Sequence, residues 1–122
     1  MWYANELDIR GIVPDRWKGK GYQATMQGLK TYEKDYHAWN FAEKGFPEPQ
    51  SIRDRVPKDE ASAVELLISE AMASEEPLYV LIWGSMKTFQ KALFQEPDIA
   101  ERIRVLTIAT GRKYGPKDEV PG

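Results

Sequence analysis

Residues 61–109 constrain the fold of this chain more than any other part of it, because they alternate between two kinds of periodicity. The stretch reads ASAVELLISEAMASEEPLYVLIWGSMKTFQKALFQEPDIAERIRVLTIA. Apolar positions three and four residues apart predict a helix that ends before Pro77, and the unbroken apolar run at 78–83 predicts a strand buried on both faces. A turn at Gly84, a second helix and a last strand at 104–109 follow. This order is typical of a parallel α/β sheet with helical crossovers.

Local signals place the ends and the inward faces of these two helices. Asp59 or Ser62 can cap the first helix, and Ser85 can cap the second. We expect the inward-facing side chains of both helices to be apolar, namely Val64, Leu67, Ile68, Ala71, Met86, Phe89, Ala92 and Leu93.

The first half of the chain is predicted to hold one strand, one long helix and one short helix. Residues 7–13 (LDIRGIV) alternate apolar and polar positions before Pro14, a pattern that predicts a strand. A loop with two glycines and a mildly basic character follows at 14–21. The next apolar residues share one face of a predicted helix, and they are Tyr22, Met26, Leu29, Tyr32, Tyr36 and Trp39. A turn at 45–50 leads into a short helix that ends near Val56.

Composition excludes several classes of protein. The chain has 122 residues, a net charge of −2 and no cysteine. A disulfide framework and a thiolate site are therefore impossible, and interspersed charges argue against a general nucleic-acid surface. No apolar run is long enough to cross a bilayer, and the first residues lack the pattern of a signal peptide. We expect a cytoplasmic protein without a membrane or nucleic-acid partner.

These patterns indicate a single α/β domain at 1–110 and a mobile polar tail at 111–122, which is rich in glycine, proline and charge. Only three strands are readable. Three strands are few for a parallel sheet, and both of its edges need covering. We therefore expect the chain to associate with another copy as a homodimer.

Several short motifs, in a fixed order, resemble the nucleoside hydrolase superfamily. The chain has WGS at 83–85 after an apolar strand, then a helix, then EPDIAERI at 96–103 before another strand. A closer resemblance is to the nucleoside hydrolase-like domain of some carbohydrate-associated bacterial proteins. Its motifs match ANELDIRGIV at 4–13, YEK at 32–34, GFPEP at 45–49 and QKAL at 90–93. This resemblance covers residues 2–109 and implies a three-layer α/β/α, Rossmann-like fold with a small, mostly parallel sheet.

The resemblance also shows what this chain lacks. The superfamily binds calcium through an aspartate cluster of the DxDxxxDD type, which lies upstream of the segment matched at 4–13. No such cluster is present here, and Lys87 stands where the family has a threonine that lends its carbonyl to the metal. We therefore expect no catalytic residue, no metal ligand and no cofactor, with calcium bound only if another chain completes the site. The family's central strand is also absent, which again favours a homodimer.

Four residues are the candidates for binding a small polar ligand. Trp17 lies among Arg16, Lys18 and Lys20 in the first loop and could stack on a sugar or a base, although packing is the commoner role of such a side chain. Trp83, Ser85 and Lys87 follow the first apolar strand, where ligands of α/β proteins often bind. Ser85 could hold an anion or serve only as a cap.

Other polar residues have simpler explanations. His37, the only histidine, is expected on a surface or at an interface, and Asp8 is expected to be a structural acid. Asp59 and Glu60 are better explained as helix caps than as an acid–base pair. Trp39, Phe41 and Phe46 fit a core or an interface.

Three functions remain open from the sequence. The first is a truncated nucleoside hydrolase-like domain that binds a sugar or nucleoside without turning it over. The second is a calcium-dependent N-ribosyl hydrolase that needs carboxylates from a second chain. The third is a self-assembling interaction module.

Overall fold

The computed structural model describes residues 1–108, so the predicted tail at 111–122 and the end of the last predicted strand lie outside the described residues. The elements are, in chain order, helix α1 (Gly21–Ala38), a 3-10 helix (Phe41–Lys44), α2 (Pro49–Arg53), α3 (Glu60–Ala73), strand β1 (Leu78–Ile82), α4 (Lys87–Gln95), a second 3-10 helix (Pro97–Glu101) and β2 (Ile103–Thr107). No helix within residues 1–108 is both long enough and apolar enough to span a membrane.

The two strands form a parallel pair, as the sequence predicts. Their register runs from Leu78 opposite Ile103 to Ile82 opposite Thr107. Helix α4 and the second 3-10 helix connect the two strands, and α3 packs against α4. The structure therefore confirms an α/β protein with a small parallel sheet.

One hydrophobic core joins this sheet to α3 and α4. Its buried members are Val64, Ala71, Ala92, Ile99 and Ile103, and the partly buried side chains packed on them are Leu67, Ile68, Leu78, Val80, Phe89 and Leu93. The predicted inward faces of both helices supply most of these residues. Helical periodicity located this core because each face is apolar at spacings of three and four.

A second core lies between α1, α2 and the first residues of the chain. Leu29, Tyr32, Ile52 and Val56 are its buried members. Tyr32 is fully buried, and its hydroxyl donates a hydrogen bond of 2.7 Å to the carbonyl oxygen of Pro47. Trp39 was predicted to share this face, but it is 62% exposed. It stands at the C-terminal end of α1, beyond the last turn that packs on this core.

Residues 7–13 do not form the predicted strand. They run as an irregular segment, and no other described residue pairs with them in a sheet. Arg55 holds them instead, since its backbone oxygen accepts from the amide of Ile12 at 3.2 Å and its Nη1 donates to the oxygen of Ile9 at 2.6 Å. A strand needs a neighbouring strand with which its backbone can form hydrogen bonds, and an alternating sequence pattern does not show whether such a neighbour exists.

The same segment ties the two cores together. Arg10 Nε lies 2.7 Å from Glu70 Oε2 on α3. Gly11 passes so close to α3 that a Cβ atom built there would lie 2.8 Å from Leu66 Cδ2. Glycine is therefore the residue that lets this backbone approach the helix.

The prediction that β1 is buried on both faces is wrong for the described residues. Tyr79 and Leu81 point away from the core, and both are exposed together with Trp83 just beyond the strand. Residues 1–108 cover only one face of the sheet, with α3 and α4 on that side. The three-layer arrangement stays a prediction, because a third layer would have to cover this outer face.

At both helix starts named from the sequence, a predicted side chain accepts a hydrogen bond from a backbone amide of the first turn. Asp59 is the N-cap of α3, and its Oδ1 accepts from the amide of Ser62 at 2.8 Å. Helix α4 begins at Lys87, whose amide donates to Ser85 Oγ at 3.2 Å. Ser85 therefore lies one residue before the N-cap, Met86, while still binding an amide of the first turn.

Candidate functional site

A pocket of about 640 Å³ lies where the loop before α1 meets the starts of α3 and α4. Its lining residues come from three segments that are distant in the sequence: Asp15, Arg16, Trp17, Lys18 and Gly19 from the loop, Glu60 from α3, and Ser85, Lys87, Gln90, Lys91 and Phe94 from the α4 region. The pocket therefore joins residues from the two halves of the chain.

Three of the four predicted ligand-binding residues line this pocket. Trp17, Ser85 and Lys87 are brought together although about seventy positions separate the loop from α4. Trp83 is not among the lining residues, and its side chain is 64% exposed. It directly follows β1, whose exposed side chains Tyr79 and Leu81 point away from the core.

A hydrogen-bond chain links the loop of Trp17 to α4. The indole Nε1 of Trp17 donates to Thr88 Oγ1 at 3.4 Å, a long hydrogen bond, and the Thr88 hydroxyl donates in turn to Asp15 Oδ1. Thr88 is buried, so it serves as a relay between the loop and α4. The chain places Trp17 among the residues that line the pocket.

Asp15 has one oxygen without a partner. Its Oδ2 atom is buried and accepts no hydrogen bond within the described residues. An ionised carboxylate can only accept, and leaving such an oxygen unsatisfied costs about 1–3 kcal/mol or more. Buried orphans of this kind are rare in proteins, and Asp15 is also one of the residues that line the pocket.

Positive charge predominates in the pocket. Four cations and two carboxylates line it, namely Arg16, Lys18, Lys87, Lys91, Asp15 and Glu60. Lys91 Nζ and Glu60 Oε2 form an ion pair at 2.5 Å. Within residues 1–108, Arg16, Lys18 and Lys87 make no ion pair. The cations therefore exceed the carboxylates, although the whole chain is slightly acidic.

A second hollow of about 540 Å³ adjoins the first along α3 and α4. The two hollows share Glu60, Lys91 and Phe94. Phe94 is 87% exposed, so its ring is accessible from solvent. The two hollows together form a groove. Trp17 lines the larger hollow, and Phe94 lines both.

Asp15, Thr88 and Phe94 also belong to this region and were not predicted from the sequence. Asp15 is the only acid in the otherwise basic loop at 14–21, a signal that could have marked it. Phe94 directly follows the inward residues Ala92 and Leu93, and its helical position already placed it off the core face. Nothing local identifies Thr88, because its role depends on a partner 73 residues away.

The remaining polar candidates lie elsewhere. His37 is exposed and packs edge-on against Tyr36, while Asp8 pairs with Arg10 at 3.0 Å. The amide of Ser62 stabilises the ionised carboxyl of Asp59 and so lowers its pKa, as suits a cap. Within residues 1–108, no group of three or more His, Cys, Asp or Glu side chains is placed to hold a metal ion.

Comparison with known proteins gives one clear relationship. No curated protein and no solved structure matches the chain. A protein family does match it over residues 1–116, nearly the whole length, in agreement with the resemblance seen in the motifs. The chain belongs to the family described as "Cellulose-binding Sde182, nucleoside hydrolase-like domain".

Proposed function

We propose that this chain is a carbohydrate-binding domain that holds a small sugar in the pocket of Trp17, Ser85 and Lys87 without turning it over. The observation that carries the proposal is the pocket that brings the aromatic ring of Trp17 together with the polar side chains of Asp15 and Ser85. Sugars present apolar C–H faces, which pack on aromatic rings, and hydroxyl groups, which donate to carboxylates. The pocket offers both kinds of contact within one concave site.

The family supports this assignment. Its printed description includes cellulose binding, so a sugar ligand is the natural proposal for this chain. Ser85 and Gln90 add a hydroxyl and an amide to the lining, and these groups can both donate and accept. A few convergent polar groups around an aromatic ring are typical of small-molecule sites.

Hydrolysis is the alternative for the same site. Of the two carboxylates that line the pocket, Glu60 is engaged by Lys91 and Asp15 by Thr88. A calcium-dependent N-ribosyl hydrolase would need further carboxylates from a second chain. Calorimetric titration of calcium, with and without ribose, tests this alternative, because ribose should tighten calcium binding if such a site forms.

The proposed binding is tested by titrating ribose, cellobiose and uridine into the wild type and into Trp17→Ala and Trp17→Phe. We expect at least one of these ligands to bind the wild type, and Trp17→Ala to weaken it by about tenfold. Trp17→Phe keeps a ring and should retain more affinity. Trp39→Ala, which alters an exposed tryptophan away from the pocket, is the control. Equal affinity of Trp17→Ala and Trp39→Ala would place the ligand elsewhere.

Self-assembly is a second candidate function, and the exposed outer face of the sheet favours it. Tyr79, Leu81 and Trp83 form an apolar strip that residues 1–108 leave uncovered. A second copy of the chain could cover this strip and supply the third layer of the fold. Such a homodimer is compatible with sugar binding, because the pocket contains none of these three residues.

A further inference from the structure

We propose that the sugar bound in this pocket is acidic, meaning a sugar that carries a carboxylate or phosphate group. The inference rests on the proposed function and adds the charge of the ligand to it. The observation behind it concerns three cations. Arg16, Lys18 and Lys87 line the pocket and have no ionic partner among residues 1–108.

The charge of the pocket is local and opposes that of the molecule. The whole chain has a net charge of −2, so a pocket with more cations than carboxylates differs from an average patch of its surface. Clefts lined by one sign of charge focus the field and concentrate ligands of the opposite sign.

The pocket's carboxylates do not remove this preference. Glu60 is neutralised by Lys91 in a close ion pair. Asp15 accepts from the Thr88 hydroxyl through Oδ1, and its Oδ2 is buried. A ligand that engages both the cations and the neutral polar groups of Ser85 and Gln90 would combine hydroxyl groups with a negative charge. An acidic sugar has this combination, together with a C–H face for Trp17.

Inorganic phosphate alone fits the pocket less well. It would engage the cations but would leave the ring of Trp17 without an apolar partner. A pocket of about 640 Å³ is also much larger than one phosphate ion, and it matches a ligand of one or two sugar rings. The structure therefore favours a charged sugar over a free anion.

The test compares four ligands by calorimetric titration of the full chain: glucose, glucuronate, glucose 6-phosphate and inorganic phosphate. We expect at least one acidic sugar to bind about tenfold more tightly than glucose and than phosphate. Raising the salt concentration should weaken the acidic sugars and leave glucose unchanged, because salt screens exposed charges. Comparison of the two acidic sugars identifies which anionic group is preferred.

Two exposed lysines supply the variants. Lys18→Gln and Lys87→Gln should each reduce the preference for the acidic sugar over glucose by about threefold to tenfold. Lys30→Gln removes an exposed lysine of α1 that does not line the pocket, and it should leave the preference unchanged. All three changes are on the surface, and the thermal transition of each variant checks that it folds.

The outcomes separate this inference from the proposed function. Equal affinity for glucose and both acidic sugars overturns the inference and leaves sugar binding intact. If phosphate binds as tightly as glucose 6-phosphate, the pocket is a site for anions, and the proposal that its ligand is a sugar is wrong. If none of the sugars binds, the proposed function fails together with the inference.

Discussion

At the scale of single residues, Asp15 shows a conflict between stability and binding. Its buried Oδ2 lacks a partner, yet Asp15 lines the pocket proposed for a sugar. Functional sites commonly keep groups that do not contribute to stability. Asp15 is therefore the residue at which the two requirements can be separated by substitution.

Asp15→Asn should weaken sugar binding by about tenfold while leaving stability unchanged or raising it by about 1 kcal/mol. The substitution removes a charge that is partly buried, and the Thr88 hydroxyl can still donate to the amide oxygen. Urea denaturation measures stability and calorimetry measures affinity. Glu75→Gln, an exposed acid outside the pocket, is the control. A large loss of stability in Asp15→Asn would show that the carboxylate is structural.

Tyr32, which is buried in the second core, is expected to contribute to stability and not to sugar binding. Tyr32→Phe should destabilise the protein by about 1 kcal/mol, because the partly buried carbonyl of Pro47 loses its donor. Urea denaturation at neutral pH measures the loss. Sugar affinity should not change, since Tyr32 does not line the pocket.

The pH dependence of Tyr32 follows from its burial. Burial, followed by the nearby Tyr36, raises the pKa of Tyr32 above its ordinary value of 10.0. The folded state therefore holds this proton more tightly than the unfolded chain. The resulting stability is present below pH 10 and is lost as the pH rises through the folded pKa. Tyr32→Phe should flatten this alkaline loss.

At the scale of elements, the sequence predicted those helices and strands whose formation depends on interactions between nearby residues. Helix α3, helix α4 and both strands of the sheet agree with the sequence because caps, prolines and apolar periodicity act over a few residues. The segment at 7–13 failed because pairing depends on a distant partner. Trp17 was predicted to bind a ligand together with Ser85 and Lys87, and it lies near them because its indole bonds to Thr88 on α4.

The cap of α3 gives a prediction at acid pH. The lowered pKa of Asp59 means that its ionised form stabilises the folded state. This stability is present above the ordinary value of 3.8 and is lost as the pH falls through the folded pKa. Asp59→Ala should lower the melting temperature at neutral pH, and its deficit should shrink in acid. Asp59→Ser keeps an acceptor without the charge, so it should recover part of the loss at neutral pH.

The surface of α4 predicts how ligand length affects binding. Phe94 is shared by the two adjoining hollows, whereas Trp17 lines only one of them. Phe94→Ala should therefore weaken an oligosaccharide of several units more than it weakens a monosaccharide. Trp17→Ala should weaken both. Titration with a sugar series of increasing length measures the difference, and an equal effect of Phe94→Ala at all lengths would exclude a groove of two subsites.

At the scale of the whole molecule, the pocket lies at the junction of two hydrophobic cores. The contact of Asp15 with Thr88 and that of Arg10 with Glu70 both cross this junction. A ligand in the pocket would add further contacts between the same halves. Such binding should stabilise the molecule as a whole, by mass action on the folded state.

The outer face of the sheet is the surface through which we propose that two copies associate. Leu81 and Trp83 are exposed beside Tyr79, and a two-stranded sheet with one bare face is marginal by itself. We expect a homodimer through this face, so that Leu81→Lys and Trp83→Lys should shift the protein to monomers. Light scattering during size-exclusion chromatography measures the mass. Tyr3→Lys, which alters another exposed aromatic residue, should leave the dimer intact. A monomeric mass of the wild type across a wide range of concentrations would mean that something other than a second copy covers this face.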